Sequence, residues 1–429
     1  MKLPASLLAY RLLTYAFAPF AAMFLSWRLS RGKEERARIA ERRGEPAFER
    51  PAGALVWLHG ASVGEALSLL PLIEKLARGQ RAVLVTTGTV TSASVLAKRL
   101  PAGAFHQFVP LDAPQFMRRF VAHWRPNLAL IAESELWPNF ILEASRARVP
   151  IVLVNARLSE RSFRRWVRLR SFIGALLGRV DLCLAQSEGD GRRLSELGAP
   201  EVRLVGNLKY DAPPPPADRQ ELAALAGRIS GRQVWIAAST HEGEEVLAAQ
   251  AHSAVARTFP DLLTLIAPRH PERGADIAAE LRGLGLRCAL RSQQDQPEPD
   301  TEIYICDTLG ELGLFYRLAG LVFLGKSLAI GGGQNPIEPA KLASAILHGP
   351  HVANFADVYA LLDSAGGALQ VHDANELARA LGALFLDGAR LRGMARAAAL
   401  IVEKQTGAGE RMLQAIETYL KQPVEGAPP

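Results

Sequence analysis

Beyond residue 50 the chain repeats one pattern: a short apolar run, a few small or polar residues, then an amphipathic stretch. The runs ALVWLHG (54–60), RAVLVTT (81–87), LALIAE (128–133), PIVLVNA (150–156), LCLAQS (182–187) and VRLVGN (202–207) read as buried strands. YDAPPPPADR (210–219) follows, with prolines that fit neither a helix nor a central strand and mark a linker. The alternation then restarts with QVWIAAS (233–239), LLTLIAP (262–268), EIYICD (302–307), LVFLG (321–325) and ASAILHG (343–349). Strands alternating with helices predict parallel sheets covered on both faces. Two such series predict two doubly wound, Rossmann-like α/β domains, at 29–211 and 219–429, with a linker at 212–218 and a C-terminal helix in the second. Ligands of such sheets bind at the carboxyl ends of strands, so the two sets of strand ends are expected to meet across one cleft.

The polar residues respect that geometry. Glu65, Glu133, Glu135, Asn155, Arg157 and Lys209 each come just after a predicted strand of the first series. Thr240, His241, Arg269, His270 and a glycine run do the same in the second.

The N-terminus breaks the pattern. From Leu3 to Trp27 the only charge is Arg11, and as helix this stretch would extend roughly 37 Å, enough to cross or deeply enter a bilayer. Arg28, Arg31, Lys33, Arg36, Arg38, Arg42 and Arg43 follow, and the positive-inside rule puts that flank and the body of the protein in the cytoplasm. Residues 1–28 are therefore expected to anchor the protein and to be dispensable for nucleotide binding. A cleaved signal peptide would carry its charges ahead of a shorter apolar run. Arg11 and Pro19 interrupt the run, which leaves an interfacial helix as the other reading.

Composition changes this picture little. With 429 residues, 49% hydrophobic and 22% charged, the chain suits two globular domains. Cys183, Cys288 and Cys306 lie far apart without C-x-x-C spacing, which argues against disulfides and a zinc site. A net charge of +7 permits acidic partners such as phosphates or anionic lipid without indicating nucleic acid.

The candidate chemistry lies in a few short stretches. In GASVGEALSLLPLIEKL (60–76), small residues lead into an amphipathic helix, leaving Glu65 either a helix cap or a general base. His59, still in the strand, reads as a core histidine. ESELWPN (133–139) offers two carboxylates, one expected to work and the other to cap, with Trp137 read as core packing. Lys209 in GNLKYD (206–211) could meet a leaving phosphate or be a solvated hinge charge. APRHPER (267–273) brings Arg269, His270 and Arg273 to a strand end, suited to phosphate. DTLGELGLFY (307–316) turns into a helix whose free N–H groups also suit phosphate, and GKSLAIGGGQNPIEPA (325–340) sets Asn335 and Glu338 at a helix start. RLSERSFRRWVRLR (157–170) puts Arg161, Arg164, Arg165 and Arg168 on one helical stripe, a contact for anionic lipid or its phosphates rather than a merely solvated face.

Taken together, GASVGE, ESELWPN, NARLSERS, GNLKYD, STHEGEE, PRHPER, GELGLFY and GGGQNPIEPA, in this order, resemble the 3-deoxy-D-manno-octulosonic acid (Kdo) transferases of lipopolysaccharide assembly. The resemblance spans essentially the whole chain. It implies a GT-B glycosyltransferase at the cytoplasmic face of a bacterial inner membrane, moving Kdo from CMP-Kdo to a lipid A precursor of the lipid IVA type. It also implies no metal or cofactor, and no nucleic acid partner. Carried over residue by residue, Glu65 matches the family's general base, and Glu133 and Lys209 match groups that assist the transition state. Pro268, Arg269 and His270, the turn Gly310, Glu311, Leu312, and the run Asn335, Pro336, Ile337, Glu338 match the CMP-binding site. Two positions depart: Lys326 stands where the family has glycine, and Gln334 where it has histidine. No D-x-D motif occurs, as suits a metal-free site in which fixed cations neutralise one phosphate. The alternative is a GT-B transferase using another nucleotide sugar on a membrane lipid acceptor.

Overall fold

The computed structural model describes residues 3–79, 81–329 and 331–421. It falls into two compact units. One comprises the chain up to Ala212 together with the segment from Thr406, and the other runs Pro213–Gln405.

The first unit is built on a seven-stranded sheet: β1 Leu55–His59, β2 Ala82–Thr87, β3 Ala104–Phe108, β4 Leu128–Ala132, β5 Ile151–Ala156, β6 Leu182–Ala185 and β7 Val202–Leu204. All pairings are parallel, in the order β3-β2-β1-β4-β5-β6-β7. Both faces are covered, so every residue of β1, β4, β5 and β6 is buried. Alternation sends Leu55 and Trp57 into one core with Phe120 and Phe140, and Val56 and Leu58 into the other with Leu69 and Leu72. The second unit carries β8 Val234–Thr240, β9 Leu263–Pro268, β10 Cys288–Leu290, β11 Ile303–Ile305, β12 Leu321–Leu324, β13 Ala345–His348 and β14 Ala368–Gln370. These too are parallel, ordered β10-β11-β9-β8-β12-β13-β14. The strand order reverses between β1 and β4 in one sheet and between β8 and β12 in the other, and such switch points are where ligand crevices open.

One expectation is corrected. The C-terminal helix, Ala408–Leu420, belongs to the first unit rather than the second. Its buried face, Ala408, Met412, Ala415 and Ile416, packs into the core of Leu69, Leu72 and Ile73. Asp211 ties its start down, accepting from the N–H groups of Gly407 and Gly409 at 2.7 and 2.5 Å. The N-terminal segment is also more than an appendage. It forms the helices Ala5–Phe17 and Ala21–Ser30, joined by a 3₁₀ turn at Pro19. Leu7 lies fully buried in the first unit's core. Tyr10 donates to Asp112 at 2.9 Å, Thr14 accepts from Asn139 at 3.0 Å, and Arg11 pairs with the buried Glu143. Leu12, Leu13 and Met23, by contrast, are about 70% exposed. The helix is two-faced, with one side built into the protein. Several basic residues that follow it are likewise structural: buried Glu34 holds both Arg28 and Arg42, and Arg38 pairs with Glu41.

The C-terminal helix completes a core, so trimming it should cost stability in the first unit. Ile416→Ala is expected to destabilise by about 2–5 kcal/mol, the usual range for emptying a packed aliphatic site. Chemical denaturation followed by tryptophan fluorescence checks this, and an unchanged midpoint would contradict it.

Candidate active site

At the first unit's switch point the chain leaves β1 into a tight turn and then the helix Val63–Arg78. Ser62 caps that helix, its hydroxyl oxygen accepting from the Glu65 N–H at 3.3 Å. The Glu65 carboxylate folds back on the turn, accepting from the Ala61 N–H at 2.8 Å and the Ser62 hydroxyl at 2.7 Å. Glu65 therefore does act as a cap, in a variant of the capping box that reaches the N–H one residue before the N-cap and the N-cap hydroxyl itself. The same bonds fix the carboxylate's position at the sheet edge while leaving the residue partly exposed. Gly60 is small for a local reason, since a Cβ there would lie 3.3 Å from Glu65 Cβ and Leu69 Cδ1. Gly64 faces open space, so there the small residue does leave room.

Glu133 follows β4 with φ of 49°, a left-handed conformation unusual for a non-glycine residue and concentrated at functional sites. Its carboxylate meets Lys209 Nζ at 3.3 Å. Lys209 is set by asparagines: Asn155 Oδ1 accepts from the Leu208 N–H at 2.9 Å and Asn207 Oδ1 from the Lys209 N–H at 3.0 Å. Asn155 is itself left-handed, at the irregularity that ends β5. The division of labour expected between Glu133 and Glu135 is not found. Neither caps the helix Pro138–Arg146; Asp112 does, accepting from the N–H groups of Asn139 and Phe140 at 3.1 and 2.9 Å. Glu135 instead accepts from the Trp137 indole at 2.6 Å. Burial first, then the charges of Glu65 and Glu133, raise the Glu135 carboxyl above its ordinary range, which groups the three carboxylates at one edge. Trp137 is not core: 41% of it is exposed. His59 is core, fully buried against Thr86 and Phe140, with burial pushing it down to about 4.

The second unit's edge is organised by two carboxylates that pattern reading passed over. Glu244, wholly buried at the start of the helix Glu244–Val255, accepts four backbone N–H groups: His241 at 2.9 Å, Lys326 at 2.7 Å, Ser327 at 3.0 Å and Leu328 at 3.1 Å. It thereby joins the loop after β8 to the loop after β12. Gly325 must be glycine here, because a Cβ would fall 2.6 Å from the Ser239 carbonyl and 2.8 Å from Glu244. Glu245 pairs with Arg273 at 2.8 Å and accepts from Thr240 at 2.9 Å, so Arg273 braces the edge rather than facing a ligand. The only hint in the sequence was the pair of glutamates in STHEGEE, which a helix-dipole argument explains away.

Arg269 and His270 follow Pro268, the end of β9, and both are exposed. Arg269 lies near enough to act on His241 and Glu338. Asn335 orders the next turn, accepting from the Ile337 N–H at 3.1 Å and donating to Glu338 at 3.2 Å, while Pro336 precedes the short helix Ile337–Lys341. Burial raises the Glu338 carboxyl, against the pull of Asn335 and Arg269. Burial, then Lys326, His270 and Arg269 against the pull of Glu244, holds His241 below its ordinary value. Gln334 bonds to His241 at 3.2 Å, and Lys326 is left-handed at φ 57°. Gly310 is also left-handed, ahead of Leu312, but the Glu311 side chain is held away by both Arg291 and Thr308. Among the described residues no cluster of three or more His, Cys, Asp or Glu side chains could hold a metal ion.

Two doubly wound sheets, each with polar residues massed at its carboxyl edge, define a two-domain α/β class. The comparisons agree on the fold: UDP-GlcNAc 2-epimerase from Neisseria meningitidis superposes with a TM-score of 0.60 at 14% identity, covering 86% of this chain and 100% of its own. They are more specific on sequence. A family model for 3-deoxy-D-manno-octulosonic-acid transferase matches residues 35–212. The probable mitochondrial enzyme of that name from Arabidopsis thaliana is 37% identical, over 88% of this chain and 87% of its own. The Haemophilus influenzae enzyme is 32% identical over 95% and 97%. The chain belongs to the 3-deoxy-D-manno-octulosonic acid transferase family and is a glycosyltransferase.

Glu244→Gln turns an amide N–H₂ toward backbone donors and leaves at least one of them unpaired. It should destabilise the second unit by on the order of 3 kcal/mol and weaken CMP binding, measurable by thermal shift with and without CMP. A variant as stable and as responsive to CMP as the native chain would remove Glu244 from this role.

Proposed function

We propose that the protein is a GT-B enzyme that transfers Kdo from CMP-Kdo to a hydroxyl of a lipid A precursor at the cytoplasmic face of a bacterial inner membrane. The observation that carries this is the Glu65, Glu133, Lys209 group at the β1/β4 switch point of a chain in this family. Glu65 takes the proton of the acceptor hydroxyl as its oxygen attacks the anomeric carbon of Kdo. The bond from that carbon to the phosphate oxygen breaks, and the electron pair leaves on CMP. A positioned carboxylate typically contributes roughly 10²–10⁴-fold to such a step. The bonds from Ala61 and Ser62 are no obstacle, since a carboxylate has about four acceptor sites and they orient it. Lys209, with Glu133 as its counter-ion, supplies fixed positive charge.

On the second unit, Arg269 meets the phosphate of CMP, and the half-buried Glu338 accepts from its sugar hydroxyls. The backbone turn at Gly310, Glu311 and Leu312 and the run Asn335, Pro336, Ile337 complete the nucleotide's surroundings, with His270 at the rim. The departures at Lys326 and Gln334 gather around His241 without disturbing Asn335 or Glu338.

The N-terminal helix lies in the membrane interface rather than across it. What supports this is its two-faced character: Tyr10, Arg11 and Thr14 are engaged by the protein while Leu12, Leu13, Phe20 and Met23 are exposed. A helix bound along one side to a globular body suits the plane of the headgroups. The stretch Ala5–Ser30, which contains an 18-residue window of mean hydropathy 1.4, is long enough for either arrangement. Arg161, Arg164, Arg165 and Arg168 are exposed on the helix Glu160–Val167 and just after it, while Phe163 and Trp166 pack inward. They hold the acceptor's phosphates or the anionic lipid around it.

Incubation with CMP-Kdo and a lipid A precursor, followed by mass spectrometry, should show addition of Kdo. Competition by CMP but not UDP excludes another nucleotide sugar. Glu65→Gln should lower turnover at least about a hundredfold, or about 2.7 kcal/mol in barrier, with CMP binding little changed. Retention of more than about a tenth of turnover would leave Glu65 a cap only. Reversing Arg164 and Arg165 to glutamate should weaken acceptor use and spare CMP-Kdo affinity; an equal loss in both would contradict the assignment of the stripe.

A further inference from the structure

We infer that Trp137 and Glu135 form a subsite for a pyranose ring of the acceptor, the indole stacking on the ring and the carboxylate receiving its hydroxyl or ammonium donors. The inference rests on the acceptor proposed above being a glycolipid.

Six tryptophans occur in the chain. Trp57, Trp124 and Trp235 are fully buried, Trp166 stacks on Phe172, and Trp27 packs with Phe24 and Arg31 on the N-terminal helix. Trp137 alone stands at a strand-end loop with 41% of its surface open, and among the described residues no other ring stacks on it. An aromatic ring left in water at a site edge has a cost that a stacked apolar face would relieve.

This ring is exposed but not loose. Its Nε1 is fixed to Glu135 Oε2 at 2.6 Å. The next residue, Pro138, begins the helix Pro138–Arg146, whose first N–H groups are held by Asp112. Asn139 is further bonded to the Asp112 carbonyl at 2.7 Å and to Thr14. A platform held this way has little freedom left to lose on binding.

Charge selects what it binds. Glu65, Glu133 and Glu135 stand at this edge against the cation of Lys209. That balance repels the acceptor's phosphates and favours an uncharged or amine-bearing ring. The exposed arginines at 161–168 offer the phosphates an opposite environment. A sugar's two faces suit such a pocket, since C–H groups lie on one side and hydroxyls radiate from the rim.

The test uses the full chain and two readouts. In steady-state transfer, Trp137→Leu should raise the acceptor KM by roughly tenfold and leave the CMP-Kdo KM unchanged. Trp137→Tyr, which restores an aromatic face, should recover most of the loss. A structural role would move both constants and the melting temperature together. Independently of transfer, a water-soluble glucosamine disaccharide should change the tryptophan fluorescence saturably in the native chain and not in Trp137→Phe. Product formed with the acceptor KM of Trp137→Leu within about twofold of native overturns the subsite while the proposed reaction stands. Saturable disaccharide binding without any Kdo product would instead keep the subsite and overturn the reaction. No saturable response in the native chain overturns the subsite.

Discussion

A parallel sheet covered by helices on both faces has no polar outlet except where its strands end. That constraint governs this protein twice. In each unit the central strands are sealed, and the polar side chains described above stand in the loops at their carboxyl ends. The reversal of strand order marks the loops after β1 and β4 in one unit and those after β8 and β12 in the other, to which Lys209 is added from beyond β7 and Arg269 from beyond β9. Of the eight described non-glycine residues in left-handed backbone, Glu133, Asn155, Ser239 and Lys326 stand at carboxyl strand ends. Strain of this kind survives only where surrounding bonds over-determine it, and here asparagines and buried carboxylates supply those bonds.

The buried carboxylates are the second organising principle. A charge removed from water is tolerable only when its acceptor sites are filled. Glu244 fills its own with backbone N–H groups from two loops and Glu245 with Arg273 and Thr240, while the half-buried Asp112 takes a helix start and the Tyr10 hydroxyl. Each holds together pieces of chain far apart in sequence. None touches substrate in the proposed reaction, yet each sets where the residues that do will stand.

Much of this was legible beforehand because periodicity and punctuation are local. Every strand read from an apolar run was found, since a strand buried on both faces has little choice of composition. Those overlooked, β3, β10 and β14, are all sheet edges. There AFHQF, with His106 and Gln107, and the three-residue strands carry no continuous apolar signal. The strand-end residues of the site were visible for the same local reason. Contacts across the chain were not. Nothing near residue 410 announces that its helix closes a core begun at residue 55, and nothing in ESELWPN reveals that its capping carboxylate is Asp112. Trp137 differs from the core reading because a tryptophan is most often packed inside, and the direction of its side chain is not written in the sequence.

The return of the last helix to the first unit has a consequence for how the protein is made. Chains emerge from the ribosome at about 5–20 residues per second, and domains ordinarily fold in the order of their appearance. Here the second unit is one uninterrupted stretch and can fold as soon as it has emerged. The first unit, begun earlier, waits with Leu69, Leu72 and Ile73 incompletely covered until Met412 and Ile416 arrive. Biosynthesis thus inverts the order of the sequence, and the unit that starts the chain is the last to be finished. A nascent chain stalled before residue 406 would present an open apolar surface, the kind of intermediate on which chaperones act.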